Sequence, residues 1–136
     1  MKPAVLVLLS VLMLPHPANA APRSPIEQRY TPDYQRCLNT GDAAKGVTLA
    51  MLDCMTSEHH RQDARLNQTY AAVMTRLSSA RKMVLRVSER RWLVDRDAEC
   101  RRQAKPDEGG TIWSLTMSGC LIDATIQRTI WLERYR

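Results

Sequence analysis

Between Val47 and Lys105 the chain carries neither glycine nor proline, a run of 59 residues in a polypeptide of 136. As one helix that run would reach about 88 Å at ~1.5 Å per residue, whereas a small domain is about 30 Å across. The run must therefore fold back on itself. Ser78-Ser79-Ala80-Arg81-Lys82 is the expected corner, because a serine there can cap the start of the next helix. The breakers collect elsewhere: Pro22, Pro25 and Pro32 in an N-terminal arm, Gly41 and Gly46 around a first turn, and Pro106, Gly109 and Gly110 in a second.

Apolar spacing within these limits is helical. Leu49, Leu52, Leu66, Tyr70, Val73 and Leu77 fall on one heptad-spaced stripe, interrupted by Thr56, His59 and Asp63, and Thr56-Ser57 offers a point at which this first helix could divide. A second helix over about 82–104 is expected to turn Leu85 and Trp92 inward, with Val84 and Val87 beside them. A third, over about 112–134, offers Met117, Leu121, Ala124, Trp131 and Leu132. No segment alternates as a strand would, and no Asn-Gly or Asp-Gly hairpin signal occurs. The expected fold is all-α, a small antiparallel bundle of three to four helices.

The first twenty residues stand apart. Lys2 is followed by an apolar run from Ala4 to Leu14, helix-breaking Pro15 and Pro17, and the small-residue pattern Ala18-Asn19-Ala20. This is the layout of a cleavable export leader, and eleven apolar residues span only about 17 Å against a bilayer core of ~30 Å. The expected organisation is a signal peptide at 1–20, an arm and first turn at 21–44, and a helical domain at 45–136. The protein is then periplasmic or secreted after cleavage near Ala20, and not membrane-spanning. Export gives the four cysteines a meaning. Cys37, Cys54, Cys100 and Cys120 read as two disulfides of an oxidising compartment. The nearest spacings are 17 and 20 residues, unlike the close pairs of a zinc site. Cys37–Cys54 with Cys100–Cys120 is preferred because each closes a short loop around a bend. A crossed Cys54–Cys100 bond remains the alternative.

A 44% apolar content excludes a disordered polyelectrolyte. The formal charge is +6, and +5 once Lys2 leaves with the leader; residues 81–105, with nine Lys/Arg against four acids, account for all of that +5. Lys82, Arg86 and Arg90 recur every four residues and so share a face, a candidate surface for anionic envelope components. Nucleic acid is not expected as a partner, since no binding motif occurs and aromatics are not interleaved with the cations. His59 and Asp63 stand four apart with no third ligand in view, so no metal is expected. No Gly-x-Ser-x-Gly elbow is present, and oxidised cysteines supply no thiolate. The reading is of a non-enzymatic binding protein without cofactor.

Polar residues on helical faces are the most specified feature. Asp63, Leu66, Asn67 and Tyr70 form one cluster, Trp92, Arg96 and Asp97 a second, and Arg128 interrupts the apolar face of the third helix. A hairpin pivoting near residue 81 sets Asp63 within a turn of Arg96, and by the same count Arg128 stands beside Glu89. Both couples are expected as buried pairs that fix helix register.

These residues carry a resemblance. Cys54…Glu58…Asp63-x-x-Leu66-Asn67-x-x-Tyr70, then Glu89-Arg90-Arg91-Trp92-Leu93-x-x-Arg96-Asp97-x-x-Cys100, then Gly109-Gly110 followed by Cys120-x-x-x-x-Thr125-x-x-Arg128-x-x-x-Leu132, resemble the three ordered motifs of the LprI-like domain family. The match runs from about residue 37 to 132, and the family usually carries Gln where this chain has Glu89. The resemblance implies a small exported helical domain and, as partner, lysozyme or another protein. Lys105, beside the loop from Pro106 to Gly110, is the best cationic finger for a lysozyme cleft. The alternatives are a basic module for anionic envelope surface and an immunity-type protein against a secreted toxin.

Overall fold

The computed structural model describes residues 23–136, so the expected leader lies outside the described residues. Five helices follow in order: α1 (Pro32–Leu38), α2 (Gly41–Ala44), α3 (Thr48–Arg76), α4 (Ser79–Ala104) and α5 (Thr111–Arg134). Single 3₁₀ turns occupy Glu27–Arg29 and Lys105–Asp107, and no strand occurs among the described residues. The fold is all-α.

The long Gly/Pro-free run folds back at Leu77 and Ser78, both extended, and the Ser78 hydroxyl accepts from the Arg81 amide at 3.4 Å. The corner is therefore two residues long, and α4 begins three residues earlier than the expected start at 82. Thr56 and Ser57 do not divide α3. Both are exposed, so their hydroxyls face solvent and the backbone ladder continues past them.

The three long helices run up, down and up, and α5 is the central one. Cys100 is bonded to Cys120 at one end of the α4–α5 pair, and Arg81 lies over the Tyr135 ring at the other, so these helices are antiparallel. α3 runs in the same direction as α5: the Met55 side chain lies against Gly119, and the Arg76 guanidinium donates to the Tyr135 carbonyl. α3 and α4 each pack on α5 and diverge from each other beyond their shared corner.

Two apolar clusters fill the interior. Cys54, Met55, Ile122 and Ile126 pack with Tyr34 and Ala43 from the N-terminal segment. Leu66, Val73, Leu77, Leu85 and Leu132 form the second cluster, toward the corner. Leu85, Ile122 and Leu132 are wholly enclosed, and each such side chain contributes about 1.5–3 kcal/mol. Some expected core positions lie outside. Leu49 precedes the point where α3 meets α5 and is 74% exposed. Val84 and Val87 are exposed because they lie off the face of α4 that carries Leu85 into the second cluster, and Trp131 lies on the rim of α5.

The segment expected as a plain arm and turn holds two helices and is locked to α3 by one carboxylate. Thr31 is the N-cap of α1, ahead of Pro32 at the first helical position. The Glu58 side chain, fully enclosed, accepts from the Thr31 amide at 3.0 Å, from the Thr31 hydroxyl, from Gln62 Nε2 at 2.7 Å and from Arg61 Nε at 2.9 Å. Burial pushes this carboxyl up, but the bonds from Thr31, Gln62 and Arg61 outweigh it and hold the group below the ordinary glutamate value. Arg29 and Glu133 join the arm to the end of α5 through two parallel bonds of 2.7 and 2.8 Å.

Cys37 pairs with Cys54 and Cys100 with Cys120, with Cα separations of 5.7 and 5.5 Å. Both bonds lie at the same end of the bundle, opposite the α3–α4 corner. Closing loops of 17 and 20 residues restricts the unfolded chain by about 3 kcal/mol each. Non-reducing peptide mapping should recover these two linkages, and a Cys100→Ser/Cys120→Ser variant should lose about 3 kcal/mol in urea unfolding; a peptide joining Cys54 to Cys100 would refute the topology. Glu58→Gln should cost about 1–3 kcal/mol, because the amide presents donors to the Thr31 donors. Since the folded value lies below the unfolded one, the Glu58 contribution is complete above pH 4.5 and fades as pH falls through the folded value. The variant should therefore lose less additional stability than the parent across that acid range.

Candidate functional site

The divergence of α3 from α4 opens a groove of about 400 Å³ lined by Asp63, Leu66, Asn67 and Tyr70 on α3 and by Arg86, Glu89, Arg90, Trp92 and Leu93 on α4. The spacing of the α3 residues explains their convergence: 63, 66, 67 and 70 recur at three and four residues and so share a helical face. The two walls differ in charge. Asp63 and the Asn67 amide, 3.5 Å apart, make the α3 wall polar, whereas Arg86 and Arg90 make the α4 wall cationic. Lys82, a turn before Arg86 on α4, is half-buried.

Glu89 and Arg128 tie α4 to α5 beside this groove. Arg128 donates from Nε to Glu89 Oε1 at 3.0 Å and from Nη2 to the same oxygen and to the Ser88 hydroxyl, both at 2.7 Å. Its guanidinium lies 3.8 Å from the Trp131 ring centroid and 5.6 Å from that of Trp92, and Arg96 covers Trp92 at 5.1 Å. Trp131 packs on Tyr135, whose ring lies under Arg81. Alternating cations and aromatic faces thus run along the α4–α5 seam. Each such contact adds on the order of 0.5–2 kcal/mol, and together they fix the register of the two helices.

Arg96 does not pair with Asp63. It is bonded to Asp97 at 2.8 Å and stacked on Trp92. The reason is the position of the corner: with the pivot at Leu77–Ser78 rather than near 81, Asp63 comes level with Trp92, a full turn short of Arg96. His59 fills the intervening space. Its Nε2 is buried without a hydrogen-bond partner, and burial followed by the Arg96 charge holds the imidazole below its ordinary value, although Asp63 and Asp97 pull the other way. The ring is accordingly neutral at pH 7. Among the described residues no three of His, Cys, Asp and Glu gather at metal-binding distance.

Lys105 lies at the disulfide-stapled end. It opens the 3₁₀ turn that leads into Gly109, whose φ of 84° favours glycine. This loop is braced: the Glu108 amide bonds to the Lys105 carbonyl, the Gly110 amide to the Asp107 carbonyl, and the Thr116 hydroxyl to the Asp107 carboxylate at 2.9 Å. Arg101, Arg102 and Trp113 surround Lys105 on a shallow concave surface. The structure therefore places the candidates in separate regions: Arg86 and Arg90 line the groove, Lys105 occupies the opposite end of α4, and Arg96, Asp97 and Arg128 belong to the helix seam.

Two polar anchors were not legible in the sequence. Glu58 finds its partner Thr31 across 27 residues, and the Tyr30 hydroxyl donates to Asp123 at 2.7 Å across 93. Burial and then this bond push the Tyr30 hydroxyl pKa up. An acid at 123, within the apolar span of α5, was the available signal that some donor must reach it.

A helical domain stapled by two disulfides has the form of a small extracytoplasmic module. The sequence profile of the lysozyme inhibitor LprI family matches residues 39–132, and the chain belongs to that family. An uncharacterized protein of Rhizobium meliloti is 27% identical over 106 residues, covering 68% of this chain and 76% of that protein. No solved structure matches. The Glu89–Arg128 contact yields a graded test. Arg128→Met strands a nearly enclosed carboxylate and should cost about 3 kcal/mol in chemical denaturation. Glu89→Gln still offers Arg128 an acceptor oxygen and should cost under about 1.5 kcal/mol; equal losses would contradict the pairing.

Proposed function

We propose that this protein is an exported inhibitor that binds lysozyme and obstructs its cleft. The observation that carries this reading is the family match over 39–132. Export is part of it: residues 1–20 act as a cleavable leader, residues 21–44 form the segment that Glu58 secures, and residues 45–136 form the helical body. Recovery of the protein from the periplasm or medium with Ala21 as its first residue supports this division, whereas an intact Met1 contradicts it.

Lysozyme cleaves a glycosidic bond between two carboxyl groups that flank the substrate, so its cleft is an anionic slot. Lys105 is the cation best placed to enter such a slot, because it projects from a braced loop at a disulfide-stapled end. A pre-formed loop loses little conformational freedom on binding. Animal lysozymes are themselves basic, so two cationic proteins approach against long-range repulsion, which salt screens beyond ~8 Å under physiological conditions. The contact is thus expected to be slow to form and governed by local fit. In a turbidity assay the purified protein should slow bacterial wall clearance at micromolar concentration, and Lys105→Glu should weaken inhibition about tenfold. Raising salt from 10 to 100 mM, roughly shortening the screening length from 30 to 10 Å, should speed association. Unchanged clearance with several lysozyme classes removes lysozyme as the partner.

A further inference from the structure

α4 has two apolar faces, and only one is used. Leu85, Trp92, Cys100 and Ala104 turn toward α5 and the interior. On the opposite side Met83, Val84, Val87 and Val94 are each more than half exposed. Positions 80, 84, 87, 91, 94 and 98 follow a three-and-four spacing, so Ala80 and Ala98 extend the same stripe along almost the whole helix, with Arg91 as its one polar interruption. No other described element lies over it. Val94 and Val87 account for nothing in the core, and exposed valine is a weak helix former, so neither packing nor propensity explains them.

The flanks of the stripe are cationic. Helical position sets Arg90 and Arg101 along one edge beside Met83 and Arg102 along the other beside Val84, with Arg91 within the stripe, all exposed. Arg91 and Arg102 also bond Asp95 and Glu99, yet the helix and its following turn keep an excess of four positive charges. An apolar stripe edged by arginines is the arrangement by which a helix lies in a bilayer interface: aliphatic groups enter among the acyl chains while guanidinium groups meet headgroup phosphates. A second copy of the chain fits less well, because apposed α4 helices would bring like-charged edges together. No described helix is long and apolar enough to cross a membrane, so the contact is peripheral.

We propose that the outer face of α4 docks this protein on an anionic lipid surface, through Met83, Val84, Val87 and Val94 with Arg90 and Arg101 at the edge. Arg101 also borders the surface around Lys105, whereas Met83, Val84, Val87 and Val94 belong to the lipid contact alone. It leaves α3, α5 and the N-terminal segment on the side away from the lipid.

The test is co-sedimentation of the purified protein with vesicles of phosphatidylglycerol or of phosphatidylcholine, with sedimentation velocity in the absence of lipid. Binding to phosphatidylglycerol at low salt, little binding to phosphatidylcholine and loss of binding at 0.5 M salt are expected. Arg90→Gln and Arg101→Gln should each weaken binding about fivefold. Val87→Asp/Val94→Asp changes exposed positions only, so it should fold, keep its effect in the lysozyme turbidity assay unchanged and fail to bind vesicles. Undiminished binding by that double variant would overturn the role of the stripe, and equal binding to both lipids would overturn the role of charge. A parent protein that ignores vesicles but forms a dimer disrupted by Val87→Asp/Val94→Asp would overturn the proposal in favour of self-association.

Discussion

The fold depends on a buried carboxylate. Glu58 fills its acceptor positions with two bonds from Thr31 and one each from Gln62 and Arg61, which is about the capacity of an ionised carboxylate. A charge so enclosed is tolerable only when its partners are all in place. The Thr31 hydroxyl that donates to Glu58 also accepts from the Tyr34 amide and so starts α1. Tyr34 then stacks on Tyr30, which reaches Asp123 on α5, and Cys37 at the end of α1 is bonded back to Cys54, one turn before Glu58. One side chain on α3 thereby positions a short helix, a disulfide and a contact to the central helix.

α5 is central because a disulfide closes the α4–α5 turn, while nothing covalent joins α3 to α4 beyond their corner. Cys100–Cys120 holds α4 and α5 together where they are connected, and the Arg–aromatic seam continues that contact to Tyr135. α3 joins α5 through Leu66, Val73 and Leu132 toward the corner and through Met55, Ile122 and Ile126 at the other end. Only toward the corner does α3 also reach α4, where Leu66, Val73 and Leu77 pack with Leu85. The groove between them opens beyond that contact.

Glycine and proline placement made the element order legible, because each long helix is bounded by a breaker or a capping serine. Cysteine spacing made the staples legible for a similar reason: both bonds close around a turn. Residue-level burial was less accessible. Val84 and Val87 fit an inward stripe as well as an outward one, and the choice depended on which face of α4 would meet the second cluster, which no local pattern encodes. Asp63 shows the sensitivity of register to the corner. Moving the pivot by about three residues displaces the facing position on α4 by roughly twice as many, enough to exchange Arg96 for Trp92. Arg128 and Glu89 meet because their register is set by a different hairpin, the one closed by Cys100 and Cys120. Thr31 and Glu58 needed a partner in an arm whose prolines suggested only a linker.

The distribution of polar residues separates architecture from recognition. Arg96, Asp97, Glu89 and Arg128 are engaged with one another or with Trp92 and Trp131, so their charges are neutralised inside the molecule. Glu89 and Arg128 hold α4 against α5, and Arg96 is engaged within α4 by Asp97 and Trp92. The cations that remain available are on the groove wall, on the outer edges of α4 and at Lys105. Arg90 is shared between the groove wall and the outer edge, and Arg101 between the outer edge and the surface around Lys105. A protein target engaged at the Lys105 end leaves the length of α4 uncovered, because the loop lies beyond its last turn. The two proposed contacts therefore adjoin at Arg101: one end-on at the disulfide-stapled loop, governed by shape, and one side-on along α4, governed by charge and apolar area.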